Sequence, residues 1–532
     1  MKKKLSCLVV FLLLFLTSCG VISNSNNEKL EPSATFSSFN YTYTDEDYKY
    51  AQEVMKEARD LANKGVNGDR VVELYSWMEE EQSKLSYYGQ VEMINYYMTG
   101  NKQYSEKQES FQATRLDLRE TQLDLYEPCS KNALREAFFG DATDAQVQKA
   151  VDNAKKEKQK MPLYKRQTEL QNEAVAIGDA EAMKPILLET INVNNQIAEL
   201  SGYDNYLDYA FKGVYGRGYE PSRVKDIIKN VCDYAYPFYQ ELKDEYFNSY
   251  ANITNKDQAE IDKFSKVCFK DYYNLINDYT KSLGGDINKI YNDLLNSKYL
   301  FVSSAKTAIS SAWTDFNYND NTPVLFMGNG DYYQCVNTFT HEFGHYLNLY
   351  SVSSGGGDYD TCETHSQSNE ALFQVYLRNN YKNMTEAGLK TLNYNWLVNI
   401  LDGIISCALV YACEEVLYAE DNLTIDKIDN LCKQSLRSYG FDLADMPGLV
   451  EYGIMCAACS PAYYISYATS GISSVSMYKM GLDNYADAAS TYLNLIKVGD
   501  WYTYPEKIVE LKLTNALDAT EVEALFKMSN FR

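Results

Sequence analysis

The sequence predicts a mainly α-helical protein with a small β element, and three observations lead to this fold class. Residues 45–62, 71–99 and 224–249 carry apolar side chains every three or four positions with charges between them, which is typical of amphipathic helices. The chain has ten prolines in 532 residues, which suits long helices. One short apolar run, residues 323–327, is closed by a glycine-containing turn and has the length of a strand.

The first residues have the character of an export signal. Lys2, Lys3 and Lys4 precede a short apolar run, residues 8–16, whereas a membrane-spanning helix needs about 20 apolar residues. The run leads into Leu-Thr-Ser-Cys, which resembles a bacterial lipoprotein cleavage box. The resemblance implies a signal peptide at 1–18, a lipidated Cys19 and an extracytoplasmic protein anchored to a bacterial membrane. An ordinary secretory signal or an uncleaved anchor are the alternatives.

The remaining chain divides by composition. Residues 19–44 are rich in Ser, Asn and Thr, which predicts a flexible tether. Residues 45–300 are expected to form an N-terminal helical region, and the pattern changes over 301–532; we expect the two regions to form one continuous body. Leaving out residues 1–18, the chain has 47 basic and 73 acidic residues, a formal charge of −26. This charge argues against nucleic acid as a partner, and we expect a monomer.

All three histidines of the chain lie within 25 residues of one another, at His341, His345 and His365. The string His341-Glu342-Phe343-Gly344-His345 is an H-E-x-x-H pattern, which on a helix brings both imidazoles to one face, one turn apart. Such a pair predicts a site for one zinc ion, with Glu342 as a general base rather than a ligand. A chance occurrence on an ordinary helix is the competing interpretation.

The helix that carries this pattern should pack through an apolar stripe at helical spacing, with the histidines off it. The stripe consists of Val336, Phe339, Phe343, Leu347 and Tyr350. A loop through Gly355, Gly356 and Gly357 should follow, and a second helix should begin near Thr361 as its N-cap. A catalytic zinc needs a third ligand, and Glu363 and Glu370 share a face of this second helix. Spacing alone does not choose between them.

The segment Glu363-Thr364-His365-Ser366-Gln367-Ser368-Asn369-Glu370 is similar to the E-x-x-S-x-x-x-E segment that follows H-E-x-G-H in the thimet oligopeptidase and oligoendopeptidase F family. The resemblance implies that Glu363 is the third zinc ligand and that Glu370 and Asp360 support the site. With three ligands then assigned, we expect His365 to have a hydrogen-bonding or structural role. The resemblance also implies a helical body with a deep substrate channel and a small sheet beside the zinc helix. Glu363 lies 22 positions after His341, fewer than is usual in the family.

A tyrosine-rich stretch near the C-terminus resembles the catalytic segment of the same family. Ser460 and Pro461 are a good helix start, and Tyr464 and Tyr467 then lie three residues apart. The resemblance implies that these two phenols bind the substrate carbonyl and stabilise the oxyanion. With 48 tyrosines in the chain, a chance pair is the competing interpretation. The histidine that the family usually carries upstream is missing from residues 452–461.

Residues 323–330 resemble the edge strand and glycine turn that precede the zinc helix in the family. The resemblance implies that an oligopeptide substrate pairs there as an added strand, with Gly328, Asn329 and Gly330 contacting it. A plain hairpin of the core is the competing interpretation.

Three functions are therefore open. The first is a lipid-anchored zinc metallopeptidase, an oligopeptidase acting on short unfolded peptides. The second is a peptide-binding lipoprotein with weakened or lost catalysis, which the missing upstream histidine supports. The third is a metal-capturing surface protein, which would need a fourth ligand such as His365.

Overall fold

The computed structural model describes residues 42–131, 133–303, 305–317, 320–352, 358–499 and 502–531. The predicted signal peptide, Cys19 and almost all of the predicted tether lie outside the described residues. The loop through Gly355–Gly357 also lies outside them.

Helices make up most of the described chain, which confirms the predicted fold class. In chain order they are α1 (Asp45–Lys64), α2 (Gly68–Thr99), α3 (Lys102–Cys129), α4 (Leu134–Phe139), α5 (Asp144–Ile177), α6 (Ala180–Ser201), α7 (Tyr206–Gly213), α8 (Val224–Asn230), α9 (Tyr236–Asn252), α10 (Asn255–Phe264), α11 (Tyr273–Leu283), α12 (Ile287–Asn296), α13 (Val336–Val352), α14 (Tyr359–Asn380), α15 (Glu386–Ala419), α16 (Ile425–Ser438), α17 (Leu449–Cys459), α18 (Ile465–Asp483), α19 (Tyr485–Leu495), α20 (Tyr504–Glu510) and α21 (Ala519–Leu525).

The predicted helices at 45–62 and 71–99 are α1 and α2, and both ends of each helix lie within three residues of the predicted bounds. The predicted helix at 224–249 is α8 and α9, which are joined by a π-helical turn at Val231–Ala235. Local signals explain such boundaries. Thr44 and Asp47 form a capping box at the start of α1, and Gly65 ends that helix in the left-handed conformation.

Three strands form a small sheet between the N-terminal helices and α13. They are β1 (Leu300–Val302), β2 (Ala312–Asn317) and β3 (Thr322–Met327), in the spatial order β1-β3-β2. The strand β3 is therefore central, parallel to β1 and antiparallel to β2. One face of the sheet packs on α2 through a cluster that includes Val91, Ile94 and Phe326.

A single large apolar core draws on residues from Ala174 to Phe531 and so joins helices from both halves of the chain. A second, smaller core lies among α1 to α4 and includes Val54, Leu74 and Leu118. Among the described helices, α15 alone is long and apolar enough to cross a membrane, and 83% of its apolar window is buried inside the protein. Its apolar surface is part of the large core.

Helix α13 follows the sheet and packs as predicted over most of its length. Val336, Phe339, Phe343 and Leu347 are buried, but Tyr350 is 41% exposed. The prediction for Tyr350 is wrong because the large core ends before the last turn of this helix.

Two predicted helix starts are also wrong. Helix α14 begins at Tyr359, and its N-cap is Asp358, whose side chain accepts the N–H of Thr361 at 2.8 Å. Helix α18 begins at Ile465, because Ser460 ends α17 and residues 461–464 form a turn.

Candidate metal centre and active site

His341 and His345 lie one turn apart on α13 and face away from its buried stripe. Their ring centroids are 5.1 Å apart. The two side chains are 20% and 19% exposed, so they are accessible to a ligand while most of α13 is buried.

Glu363 comes to these rings from α14, which packs closely on α13. The close approach depends on Gly344, where a Cβ atom would lie 2.7 Å from the carbonyl oxygen of His365. Glu363 Oε2 lies 3.5 Å from Nε2 of His341 and 3.5 Å from Nε2 of His345. Ligand atoms around a tetrahedral zinc ion at ~2.1 Å are ~3.4 Å apart, so Glu363 lies at the distance from each imidazole that one shared zinc ion requires.

Within the described residues, His341, His345 and Glu363 form a group of potential metal ligands whose donor atoms all lie within 4.8 Å of one another. Burial alone would raise the pKa of Glu363, but the charges of His345 and His341 lower it to about 2. The carboxylate is therefore ionised and able to bind a cation. His365 is not a member of this group.

Glu370 lies behind His341. Its Oε1 atom is 2.7 Å from Nδ1 of His341, and its Oε2 atom accepts a hydrogen bond from Nε1 of Trp396 at 3.4 Å. A carboxylate on Nδ1 fixes the ring and leaves Nε2 to face a metal, as in many zinc sites. Burial would lower the pKa of His341, but Glu370, together with Glu363 and Glu342, outweighs this effect and the pKa rises to about 9.

Glu342 points beside the three donors and is not one of them. Its side chain is 6% exposed, and Oγ1 of Thr314 on β2 lies 2.9 Å from its Oε2 atom. Burial raises the pKa of Glu342 above its ordinary value. Thr314 thus connects the strand β2 to the predicted general base.

The tyrosine that touches the metal ligands is Tyr463, which sequence reasoning did not select. Its hydroxyl donates to Oε1 of Glu363 at 3.0 Å and lies 3.0 Å from the hydroxyl of Tyr467. Tyr467 is therefore one hydrogen bond further from Glu363. Tyr464 is 1% exposed, and its ring packs edge-on against Tyr452 and Tyr463.

Asp360 anchors the start of α14 through a fully buried ion pair with Arg217, which lies between α7 and α8. Nε of Arg217 lies 2.8 Å from Oδ1 of Asp360, and both side chains have no exposed surface. Tyr219 donates to Oδ2 at 2.7 Å and Ser466 to Oδ1 at 2.6 Å. Three side chains from two other segments thus hold Asp360 and fix the first turn of the helix that carries Glu363.

His365 is completely buried, and burial lowers its pKa to about 3, so the ring is neutral. Its backbone carbonyl accepts a hydrogen bond from the hydroxyl of Tyr492 at 3.2 Å. It lies on α14 against Gly344 of α13, where it forms part of the packing between the two helices.

The predicted edge strand at 323–327 is wrong. This strand is β3, whose two sides pair with β1 and β2, so a peptide has no side to join. The following turn is occupied as well, because the N–H of Gly328 donates to Ser311 and the N–H of Asn329 to Ile309. Gly330 is at φ +112° and completes the turn. Sheet order depends on pairing between distant segments, which the local pattern did not contain.

Among the described strands, β2 pairs with β3 alone and is the strand that carries Thr314. Its last residues lead into a cavity of about 380 Å³ between α2, α3 and the sheet. Gln90, Arg115 and Asp315 line this cavity, and Nε2 of Gln90 donates to Oδ2 of Asp315 at 2.9 Å. An extended chain lying along β2 would therefore run from Glu342 into this cavity.

Comparison with known proteins identifies the fold. No protein-family profile and no curated protein sequence matches this chain. Its structure is that of the oligoendopeptidase F fold, as the resemblance predicted. The similar structures include a Bacillus anthracis protein assigned as an oligoendopeptidase F (16% identity, TM-score 0.64, 92% of this chain and 96% of that chain). PZ peptidase A with an inhibitor is also similar (16% identity, TM-score 0.61, 92% of this chain and 97% of that chain). So is oligoendopeptidase-F from Enterococcus faecium (13% identity, TM-score 0.54, 92% of this chain and 97% of that chain).

Proposed function

We propose that this protein is a zinc-dependent peptidase that hydrolyses peptide bonds in short unfolded oligopeptides. The observation that carries the proposal is the group of His341, His345 and Glu363, with its donors within 4.8 Å of one another, beside the buried carboxyl of Glu342. The fold shared with solved oligoendopeptidases supports it.

One zinc ion fits the three donors, since Oε2 of Glu363 lies 3.5 Å from Nε2 of each imidazole, and two imidazoles with a carboxylate form a common catalytic ligand set. Glu370 would hold the ring of His341, and Tyr463 would hold the second oxygen of Glu363. When bound, zinc would act as a Lewis acid on water and on the substrate carbonyl.

Glu342 would take a proton from the attacking water as the water oxygen bonds to the carbonyl carbon. The same proton would then pass to the amide nitrogen as the C–N bond breaks, which releases an amine and a new carboxyl terminus. Thr314 keeps the carboxyl of Glu342 in place during both transfers, because its hydroxyl bonds to Oε2.

The carbonyl oxygen of the substrate gains negative charge during the attack and needs hydrogen-bond donors. Tyr467 is our first candidate, with Tyr463 beside it, because their hydroxyls are linked to each other and to Glu363. Tyr464 remains a weaker candidate because its ring is enclosed.

The peptide would lie along β2 and continue into the cavity lined by Gln90, Arg115 and Asp315. Pairing of main chain with main chain tolerates varied side chains, which accords with broad specificity. This path replaces the one through Gly328–Gly330, and a deep channel around it is part of the proposal.

We further propose that the protein acts as a monomer outside the cytoplasm, anchored to a bacterial membrane through lipidated Cys19. The support is the export-type sequence of residues 1–18 and the Leu-Thr-Ser-Cys string. The charge of the chain disfavours nucleic acid as a partner.

The two other functions have less support. A peptide-binding lipoprotein has no need of Glu342, which is retained beside the three donors. A metal-capturing protein needs a fourth ligand, and within the described chain the group of close donors has three members.

Digestion of a peptide library by the purified protein, followed by mass spectrometry, tests the proposal. We expect cleavage of unstructured peptides that stops with a chelator and resumes with added zinc. Tight peptide binding without turnover, in zinc-loaded protein, would contradict the peptidase and favour the inactive binding protein.

A further inference from the structure

The turn at residues 460–464, between α17 and α18, brings Tyr463 to the carboxylate of Glu363. Ala462 in this turn has φ +64°, in the left-handed region. The Cβ atom of an L-residue disfavours this conformation, which glycine adopts freely. Ala462 is fully buried, so an interaction inside the protein must hold it there.

Glu414 on α15 makes that interaction. Its Oε2 atom accepts the backbone N–H of Ala462 at 2.9 Å, and its side chain is fully buried. Its Oε1 atom has no hydrogen-bond partner in the part of the chain that the structure describes. Burying a carboxyl group costs free energy unless hydrogen bonds compensate for the lost water. In the described part of the chain, the hydrogen bond from Ala462 is the one that Glu414 has.

Tyr215 and Arg217 also bond to the turn, but to carbonyl groups and not to the N–H of Ala462. Tyr215 donates to the carbonyl of Pro461 at 3.0 Å, and Arg217 donates to the carbonyl of Tyr463 at 3.3 Å. Without the carboxyl of Glu414, a buried N–H would lose its partner at the residue with the unfavourable φ.

We propose that Glu414 is a positioning residue, which holds Ala462 in the left-handed conformation and so keeps the phenol of Tyr463 on Glu363. The effect of Glu414 on catalysis rests on the proposed peptidase function. Its effect on the position of Tyr463 is independent of that function.

Four variants of the full-length protein test this role: E414L, E414Q, A462G and the double variant E414L/A462G. E415Q is the matched control, because Glu415 is the next residue of the same helix and pairs with Lys225 at the surface. Crystal structures give the distance from the Tyr463 hydroxyl to Glu363 Oε1, zinc titration gives the metal affinity, and a quenched fluorescent peptide gives kcat and KM.

We expect E414L to lose the contact of 3.0 Å between Tyr463 and Glu363, with kcat about tenfold lower and KM little changed. E414Q keeps an acceptor for the N–H of Ala462 and should retain the contact and most of the activity. The double variant should regain the contact, because glycine adopts the conformation without help, and E415Q should resemble the unmodified protein.

An E414L protein that keeps Tyr463 on Glu363 overturns the proposal, and so does a double variant that recovers nothing. If E414L does not fold, a double variant that folds with the contact restored supports the proposal, and one that does not fold overturns it. If the unmodified protein cleaves no peptide, the proposed function fails, while the distance between Tyr463 and Glu363 still decides the role of Glu414.

Discussion

Oε1 of Glu370 lies 2.7 Å from Nδ1 of His341, so the Nε2 atom of the same ring is turned towards Glu363. The two glutamates of α14 thus have different partners on one imidazole. One holds the ring from behind, and the other shares the face where a metal would bind.

Replacing Glu370 with glutamine should weaken zinc binding about 10–100-fold, because the ring of His341 loses a charged partner that fixes its orientation. Isothermal titration of the metal-free protein with zinc measures the effect. Activity should return at saturating zinc, since Glu370 contacts Nδ1 of His341, on the side of the ring away from Glu363. An unchanged zinc affinity would show that the contact with His341 is incidental.

The E342Q variant should lower kcat about 10²–10⁴-fold while zinc affinity stays the same, because a general base is lost and no ligand is removed. A quenched fluorescent peptide and a zinc titration measure the two quantities. The control is E451Q, which changes an exposed glutamate on α17. Full activity of E342Q would require a different base.

The three neighbouring phenols should differ in their effects. Y467F and Y463F should each lower kcat about 10²-fold with little change in KM, because the oxyanion loses a donor or the donor loses its support. Y464F should have the smallest effect of the three, since its ring is enclosed by other tyrosines. If Y464F is the most damaging, the assignment among the three is wrong.

The R115Q variant should raise KM about 3–10-fold for peptides long enough to reach the cavity beside β2, the size expected for one lost charged hydrogen bond. The KM for shorter peptides should not change. R119Q, one turn further along α3 and exposed, is the control. Equal effects on long and short peptides would remove the cavity from the substrate path.

Glu414 should make stability depend on pH. Burial raises its pKa to about 8 from 4.5, with the N–H of Ala462 and the charge of Arg217 acting in the opposite direction and by less. The folded protein therefore keeps a proton that the unfolded chain releases, so this contribution is complete below about pH 4.5 and is lost as the pH rises towards about 8.

Urea unfolding of the unmodified protein and of E414Q, at about pH 5, 6, 7 and 8, measures this dependence. The free energy of unfolding of the unmodified protein should fall relative to that of E414Q across the series. The thiols of Cys413 and Cys456 lie near Glu414, but both variants share them. A hydrogen bond with Cys432, together with burial, raises the pKa of Cys413 well above its ordinary value, and burial does the same for Cys456. A constant difference would mean that Glu414 does not titrate as described.

The features that could be predicted from the sequence are those that depend on the spacing of residues close together in the chain. Helical periodicity gave α1 and α2 within three residues, and the i, i+4 spacing brought His341 and His345 together. Glu363 could be chosen over Glu370 only through the family resemblance, because both lie on one face of α14. The structure separates them by their distances to the two ring nitrogens of His341.

The remaining features depend on contacts between distant segments. The central position of β3 requires β1 and β2, and the pair of Arg217 and Asp360 joins residues 143 positions apart. Tyr463 was one of 48 tyrosines, and only its hydrogen bond to Glu363 distinguishes it.

The carboxylate of Asp358, which caps the helix of Glu363, also accepts the backbone N–H of Tyr504, 146 positions later. A growing chain that has just emerged past residue 380 already contains both histidines and Glu363, yet nothing fixes the carboxylate of Asp358 from the other side. We therefore expect the metal affinity of His341, His345 and Glu363 to reach its full value only after Tyr504 has been synthesised and has packed against Asp358.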